Sequence, residues 1–311
     1  MDRCRQLFGI LVLALVALST ARAATLRVVT TTPTYADLVR KIGGSHVEVT
    51  SIMRGPENIH RIVATPAKIA LVAQADLFVH SGLDLELWVP TLLRGARNDA
   101  ILPGKPGNFN AAQGIRLKEV PREVSRAQGE MHIYGNPHYV LDPINLIIIA
   151  RNLRDRLQQL DPAHAGDYAA NCARFEARMK RKLLEWLKAT RSIRGLKVVG
   201  YHDVFPYFVD RFGLHVIGYV EPKPGIEPSP SHIARLIRLM NSQRCRILLL
   251  NTWADRRTAE SIARQTGAVI VPFPEWVGGV PEATDVFRHM DYLVQGILRA
   301  AELVGQQQAG M

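Results

Sequence analysis

Cysteine is scarce in this chain of 311 residues: there are three, and none stands in a CxxC pair. The ten histidines form no HExxH, and without a CxxC no histidine completes a deaminase pattern, so the local signatures of zinc hydrolases are missing. Any metal site must therefore be assembled from distant segments. Beyond the N-terminal region no apolar run reaches the ~20 residues that a membrane helix needs. What remains is an ordinary globular composition, 47% hydrophobic and 22% charged, which excludes disordered and fibrous classes. The length suits one large or two medium domains.

Residues 1–23 read as a signal peptide. Arg3 and Arg5 precede an apolar run from Leu7 to Leu18, and Ala21-Arg22-Ala23 offers a small-x-small cleavage site before Ala24. Cys4 stands ahead of the apolar run without a small-residue context, which argues against lipid attachment. Export to the periplasm follows, where Cys172 and Cys245 are permitted to pair; we read them instead as buried small residues. Removing the leader takes away three Arg and one Asp, lowering the formal charge from +11 to about +9. That surplus is scattered, as at Arg151, Arg154 and Arg156 around Asp155, and reads as a solvated surface with no nucleic-acid partner.

From Leu26 onward, β-rich runs alternate with helical stretches, the pattern of parallel α/β lobes. Strands are expected at Leu26–Thr31, Val47–Met53, Leu77–His80 and Ile115–Val120, with helices at Tyr35–Ile42 and Pro66–Ala73. An irregular excursion is expected from Asn98 to Asn136. A helix from Pro143 to Leu160 precedes a long amphipathic one from Pro162 to Thr190, which suits a rigid strut. Further strands are expected at Lys197–Tyr201, Val216–Val220, Arg246–Leu250 and Ala268–Pro272, with helices from Pro230, Ala254 and Asp285. The expected organisation is an N-terminal α/β lobe over 24–160, a linking helix over 161–194 and a C-terminal α/β lobe over 195–311, with a ligand in the cleft. Thr65-Pro66, Asp142-Pro143 and Ser229-Pro230 each place a capping oxygen before a proline suited to the first helical turn.

Three short motifs stand out. Arg54-Gly-Pro-Glu-Asn-Ile-His60 leads to Ala64-Thr65-Pro66. Asn136-Pro137-His138-Tyr139-Val140-Leu141-Asp142-Pro143 is the most specific. Gly200-Tyr201-His202-Asp203 precedes Phe205-Pro-Tyr207-Phe208. In this order they resemble the metal loops of the zinc- and manganese-binding solute receptors of ABC transporters, over nearly the whole mature chain. The resemblance implies two parallel-sheet α/β lobes joined by a long rigid helix, with limited hinge movement and a metal between the lobes. It implies that His60, His138 and His202 coordinate the metal. The family's fourth ligand, an acidic residue in a late loop, matches Glu275, with Asp285 as the alternative; a carboxylate at a helix entry is the rival reading of each. His132 is read as a loop histidine touching solvent, with an auxiliary ligand role as the rival. Glu221 or Glu86 could accept from a ligand imidazole, although surface placement is the simpler reading of each. The long histidine-rich loop of some zinc receptors is absent.

Three imidazoles and a carboxylate suit tetrahedral Zn²⁺ better than Mn²⁺, which prefers more oxygen. The implied function is a monomeric, non-enzymatic receptor that delivers Zn²⁺ to an ABC membrane permease, with a periplasmic metal chaperone as a further partner. The competing readings are an exported zinc-dependent hydrolase and a receptor for manganese or a chelated metal.

Overall fold

The computed structural model describes residues 25–121 and 132–309; the expected signal peptide lies outside them. Strands β1 (Leu26–Thr30), β2 (Val47–Ser51), β3 (Leu77–His80) and β4 (Asn108–Asn110) form a parallel sheet of order β2-β1-β3-β4. Strands β5 (Lys197–Gly200), β6 (His215–Tyr219), β7 (Ile247–Asn251) and β8 (Val269–Phe273) repeat that arrangement as β6-β5-β7-β8. Parallel strands are covered on both faces and so read as unbroken apolar runs. In β7 all five residues are buried.

The first lobe carries helices α1 (Pro33–Gly43), α2 (Pro66–Ala73), α3 (Val89–Ala96) and α4 (Pro143–Leu160), and α5 (Ala165–Ala189) is the long one. The second lobe carries α6 (Pro206–Phe212), α7 (Pro230–Ser242) and α8 (Arg256–Thr266), and α9 (Val286–Ala309) follows. The expected caps form: the side chains of Thr65, Asp142 and Ser229 accept from Lys68, Ile144 and His232 backbone N–H groups. Short 3₁₀ turns, Pro162–His164 and Thr190–Ile193, flank α5, which buries Tyr168, Cys172, Phe175, Met179, Leu183 and Trp186 along one stripe. That stripe packs α5 against α1, α4 and α9.

One hydrophobic core runs through both lobes, and a smaller cluster seats β5 and β7 against α7 and α8. Helix α9 joins the halves, packing on β8 and also on α1 and α5, with the Phe175 and Phe287 rings 5.5 Å apart. Backbones from the two lobes touch as well, since a Cβ at Gly55 would lie 2.1 Å from the Gly278 carbonyl carbon. A continuous core with backbone contact resists wide closure, because packed interiors do not deform smoothly.

Three expectations need correction. Ile115–Val120 is not a strand: Glu119 adopts φ +52°, which breaks an extended run, and Val120 is exposed. The fourth strand is Asn-Phe-Asn at 108–110, poor in β-formers and held by its pairing with β3. Helices α3 and α6 add to the expected set, because each is short and begins without a side-chain cap, leaving no cap-proline pair and little room for a period to show. Cys172 and Cys245 are buried free thiols, as read from the sequence. Among the described residues no helix is long and apolar enough to cross a membrane.

Candidate metal centre

Loops at the carboxyl ends of the strands supply the chemistry, the usual place for a ligand in open α/β sheets. His60 lies in a 3₁₀ turn, Ile59–Arg61, whose entry Asn58 caps by accepting the His60 N–H at 2.9 Å. Trp88 holds the same turn by donating its indole N–H to the Ile59 carbonyl at 2.9 Å. His138 precedes the turn Tyr139–Leu141 that runs through Asp142 into α4. His202 follows β5 and donates its backbone N–H to Asn251 Oδ1 at 3.4 Å.

The fold brings these three together: one ring nitrogen from each lies within 4.8 Å of the other two. His202 Nδ1 is 2.6 Å from Glu221 Oε2, and His138 Nδ1 is 3.1 Å from Asn136 Oδ1. The Asn136 amide is oriented by donating to Glu119 Oε2 and to the Asp203 carbonyl, so its oxygen faces His138. Each Nδ1 thus donates to its oxygen acceptor, and each Nε2 turns inward. Both Nε2 atoms are buried without a hydrogen-bond partner among the described residues. Buried polar atoms are ordinarily satisfied, so converging orphan nitrogens are what a cation would relieve.

Electrostatics agree. Burial first, then the charge of His202 and His132, pushes His60 down to about 3. His138 is held well below the ordinary histidine value by burial and then by its imidazole neighbours. Burial also pulls on His202, but the hydrogen bond to Glu221 and the charges of Glu275, Glu221 and Asp203 outweigh it and hold that ring above the ordinary value. His60 and His138 are thus neutral at pH 7, the form that binds metal.

Glu275 is buried just beyond β8, but it lies outside the group of donors within 4.8 Å. Its Oε1 accepts from Asn251 Nδ2 at 2.7 Å and Trp253 Nε1 at 3.0 Å, and Trp253 meets the His202 ring edge-on at 5.2 Å. Asp285 is no ligand here: its Oδ1 accepts the Phe287 and Arg288 N–H groups at the start of α9, and its Oδ2 lies 3.7 Å from Lys41 Nζ.

His132 is half-buried in a loop, as read, and also reaches the cleft: its ring stacks on His60 at 5.5 Å, and its Nε2 has no hydrogen-bond partner among the described residues. Nothing in its local sequence signals this, because the loop's return to the cleft is a tertiary event. Glu221 holds the His202 imidazole as one sequence reading allowed, whereas Glu86 is buried elsewhere, accepting from Thr31 Oγ1 at 2.7 Å and Ser81 N–H at 2.8 Å. The roles of Asn136 and Trp253 are not legible in the sequence, since neither carries a signal beyond lying in or near a motif.

Comparison with known families matches residues 28–300 to the family described as zinc-uptake complex component A, periplasmic. Among curated relatives, the zinc-binding protein AdcA of Streptococcus pyogenes is 24% identical over 260 residues, 79% of this chain and 50% of that one. The chain thus spans about half the length of the first such relatives. The manganese ABC transporter substrate-binding lipoprotein PsaA of Streptococcus pneumoniae is 25% identical over 270 residues, covering 85% and 84%. Among solved structures, a crystal structure of ZnuA superposes with a TM-score of 0.75 at 22% identity, over 89% of this chain and 99% of that one.

Proposed function

The chain belongs to the periplasmic zinc-uptake component A family, and from that premise we propose that it is an extracytoplasmic receptor that captures Zn²⁺ and passes it to an ABC-type membrane permease. The observation that carries this reading is the convergence of His60, His138 and His202 with paired inward-facing Nε2 atoms. Neutral imidazoles presented by prearranged acceptors favour zinc over manganese, whose sites are richer in oxygen. The relatives include a manganese protein, so the donor chemistry is what decides between the two metals.

Burial pushes the Glu275 carboxyl above the usual carboxylate range, and an incoming cation would favour its ionised form, so that with Glu221 it offsets the charge of that ion. A hydrolase would need a carboxylate available to activate metal-bound water. Glu275 Oε1 is already taken by Asn251 and Trp253, which favours capture and release. The leader at residues 1–23 supports a periplasmic location.

The test is metal analysis of the mature protein purified without chelator, followed by competition titration. One zinc per chain is expected, with a large loss of affinity and an unchanged circular dichroism spectrum in His138→Ala. An unchanged dissociation constant in that variant, or a parent protein indifferent to zinc, overturns the reading.

A further inference from the structure

A cavity of about 250 Å³ opens where α1, α5 and α9 meet, lined by Lys41, Asn171, Arg174, Phe175, Arg178 and Phe287. None of these residues belongs to a metal loop. Three of the six are cations, and the two aromatic rings, 5.5 Å apart, form an apolar floor.

Each cation is held by a contact of its own. The Asn171 amide donates Nδ2 to the Ile42 carbonyl at 2.9 Å, and its oxygen accepts from Arg174 Nη2. The Arg178 guanidinium lies over the Phe287 ring, 4.0 Å from its centroid, a contact that uses the face of the guanidinium and leaves its N–H edge for another partner. Lys41 Nζ stands 5.4 Å from the same ring and reaches Asp37 at 3.3 Å and Asp285 at 3.7 Å. Those two carboxylates answer the lysine, so the surplus positive charge of the pocket is that of the arginines. Glu176, which lies between them in sequence, is engaged by Arg151 and Lys180. Among the described residues neither Arg174 nor Arg178 stands in an ion pair. Like charges one helical turn apart repel, and a shared anion removes that cost.

The geometry points to a phosphate-binding site in this cavity, with the oxygens of one phosphate group bridging Arg174 and Arg178, Lys41 at the rim and Phe287 beneath. Each guanidinium offers five N–H donors in a rigid fork, of which the protein uses few here. A tetrahedral group presents oxygens in several directions and so meets donors from two helices, whereas a carboxylate presents two in one plane. The occupied site would also tie α5 to α1, at a place where α9 packs on both. Inorganic phosphate and the headgroup of an anionic phospholipid share this chemistry. The site is independent of the metal centre, so it stands or falls apart from the receptor reading.

The experiment uses the metal-free mature chain, titrated with inorganic phosphate at constant ionic strength by calorimetry and mixed separately with phosphatidylglycerol vesicles, with phosphatidylcholine vesicles as the blank. Saturable binding is expected in at least one arm: phosphate alone assigns a free anion, and phosphatidylglycerol assigns a lipid headgroup. Arg174→Gln and Arg178→Gln should each weaken that binding by about tenfold or more, the usual loss for a hydrogen bond to a charged group. Arg238→Gln, which removes the same charge from an exposed position on α7, should bind as the parent does. Arg174→Gln leaves the Arg178 contact with Phe287 in place, so it reads the site even if Arg178→Gln loosens the fold. Parent affinity in Arg174→Gln with an unchanged circular dichroism spectrum overturns the proposal. So does an equal loss in Arg238→Gln, which marks general charge attraction, and so does the absence of binding in both arms.

Discussion

Arg211 in the second lobe grips Asp142 in the first through two parallel hydrogen bonds, Nε to Oδ1 and Nη2 to Oδ2, each 2.8 Å long. The same carboxylate caps α4, accepting the Ile144 N–H at 2.9 Å, four residues after His138. One side chain thus fixes a helix start, the loop that carries His138 and the lobe interface. The Asp142 side chain is 9% exposed and that of Arg211 31% exposed. Arg211→Ala should therefore strand a nearly buried charge and cost about 1–3 kcal/mol. Asp142→Asn should cost less, since the cap survives and the arginine can hydrate. Urea denaturation checks both; equal losses, or an Arg211→Ala loss under about 0.5 kcal/mol, contradict the account.

The contact between Gly55 and the Gly278–Gly279 backbone leaves no room for a methyl group, since an added Cβ would sit 2.1 Å from one atom and 2.3 Å from another. Backbone cannot swing aside as a side chain can. Gly55→Ala should destabilise the fold by about 1–3 kcal/mol, the usual range for overpacking. It should also weaken zinc binding, because His60 and Glu275 flank the two touching segments. A thermal melt and a zinc titration superposing on those of the parent would refute the claim that the lobes are pressed together here.

Glu221 holds His202 through Nδ1 at 2.6 Å and is itself steadied by the Gly225 N–H at 3.0 Å. Glutamine at 221 keeps an oxygen acceptor but loses the charge that raises ligand basicity. Zinc affinity should fall by about 10–100-fold, with stability near the parent's. Competition titration reads the first effect and calorimetry the second.

His289 is buried in α9, where it lies 2.8 Å from the Pro274 carbonyl, and burial pushes its pKa down to about 4. The native state therefore favours the neutral ring, while the unfolded chain takes up a proton near pH 6.5. Stability from this residue is present above pH 6.5, falls as the pH drops toward 4, and levels off below that. The loss amounts to at most about 3 kcal/mol. Comparing His289→Gln with the parent in denaturant melts from pH 7 to 4 isolates it, because the contributions of the other buried histidines cancel. The parent should lose more stability than the variant over that window, and parallel curves would contradict the assignment.

Seven of the eight strands, the long helix and the three proline-led caps were legible because each is written locally. A run of buried β-branched residues, a 3.6-residue stripe and a cap-proline pair carry their meaning within a few positions. His60, His138 and His202 were legible for the same reason, each lying inside a short motif. Strand β4 was not, since an Asn-Phe-Asn segment becomes a strand only beside β3. At His132 the sequence gives the half-buried loop position but not the stacking on His60. At Asp285 the sequence left a ligand and a helix-entry carboxylate open, and the carboxylate accepts at the start of α9.

The amino-acid order alone determined two repeated α/β halves and the imidazoles offered at three loop ends. Only the tertiary structure decided which groups face one another, because the deciding contacts join residues far apart along the chain. Val286 N–H reaches Asp37 Oδ2 at 2.9 Å across 249 positions, and Glu221 reaches His202 across 19. A hydrogen bond is won by a few tenths of an ångström, and distances of that size between remote segments are set by packing of the common core, which no local pattern encodes.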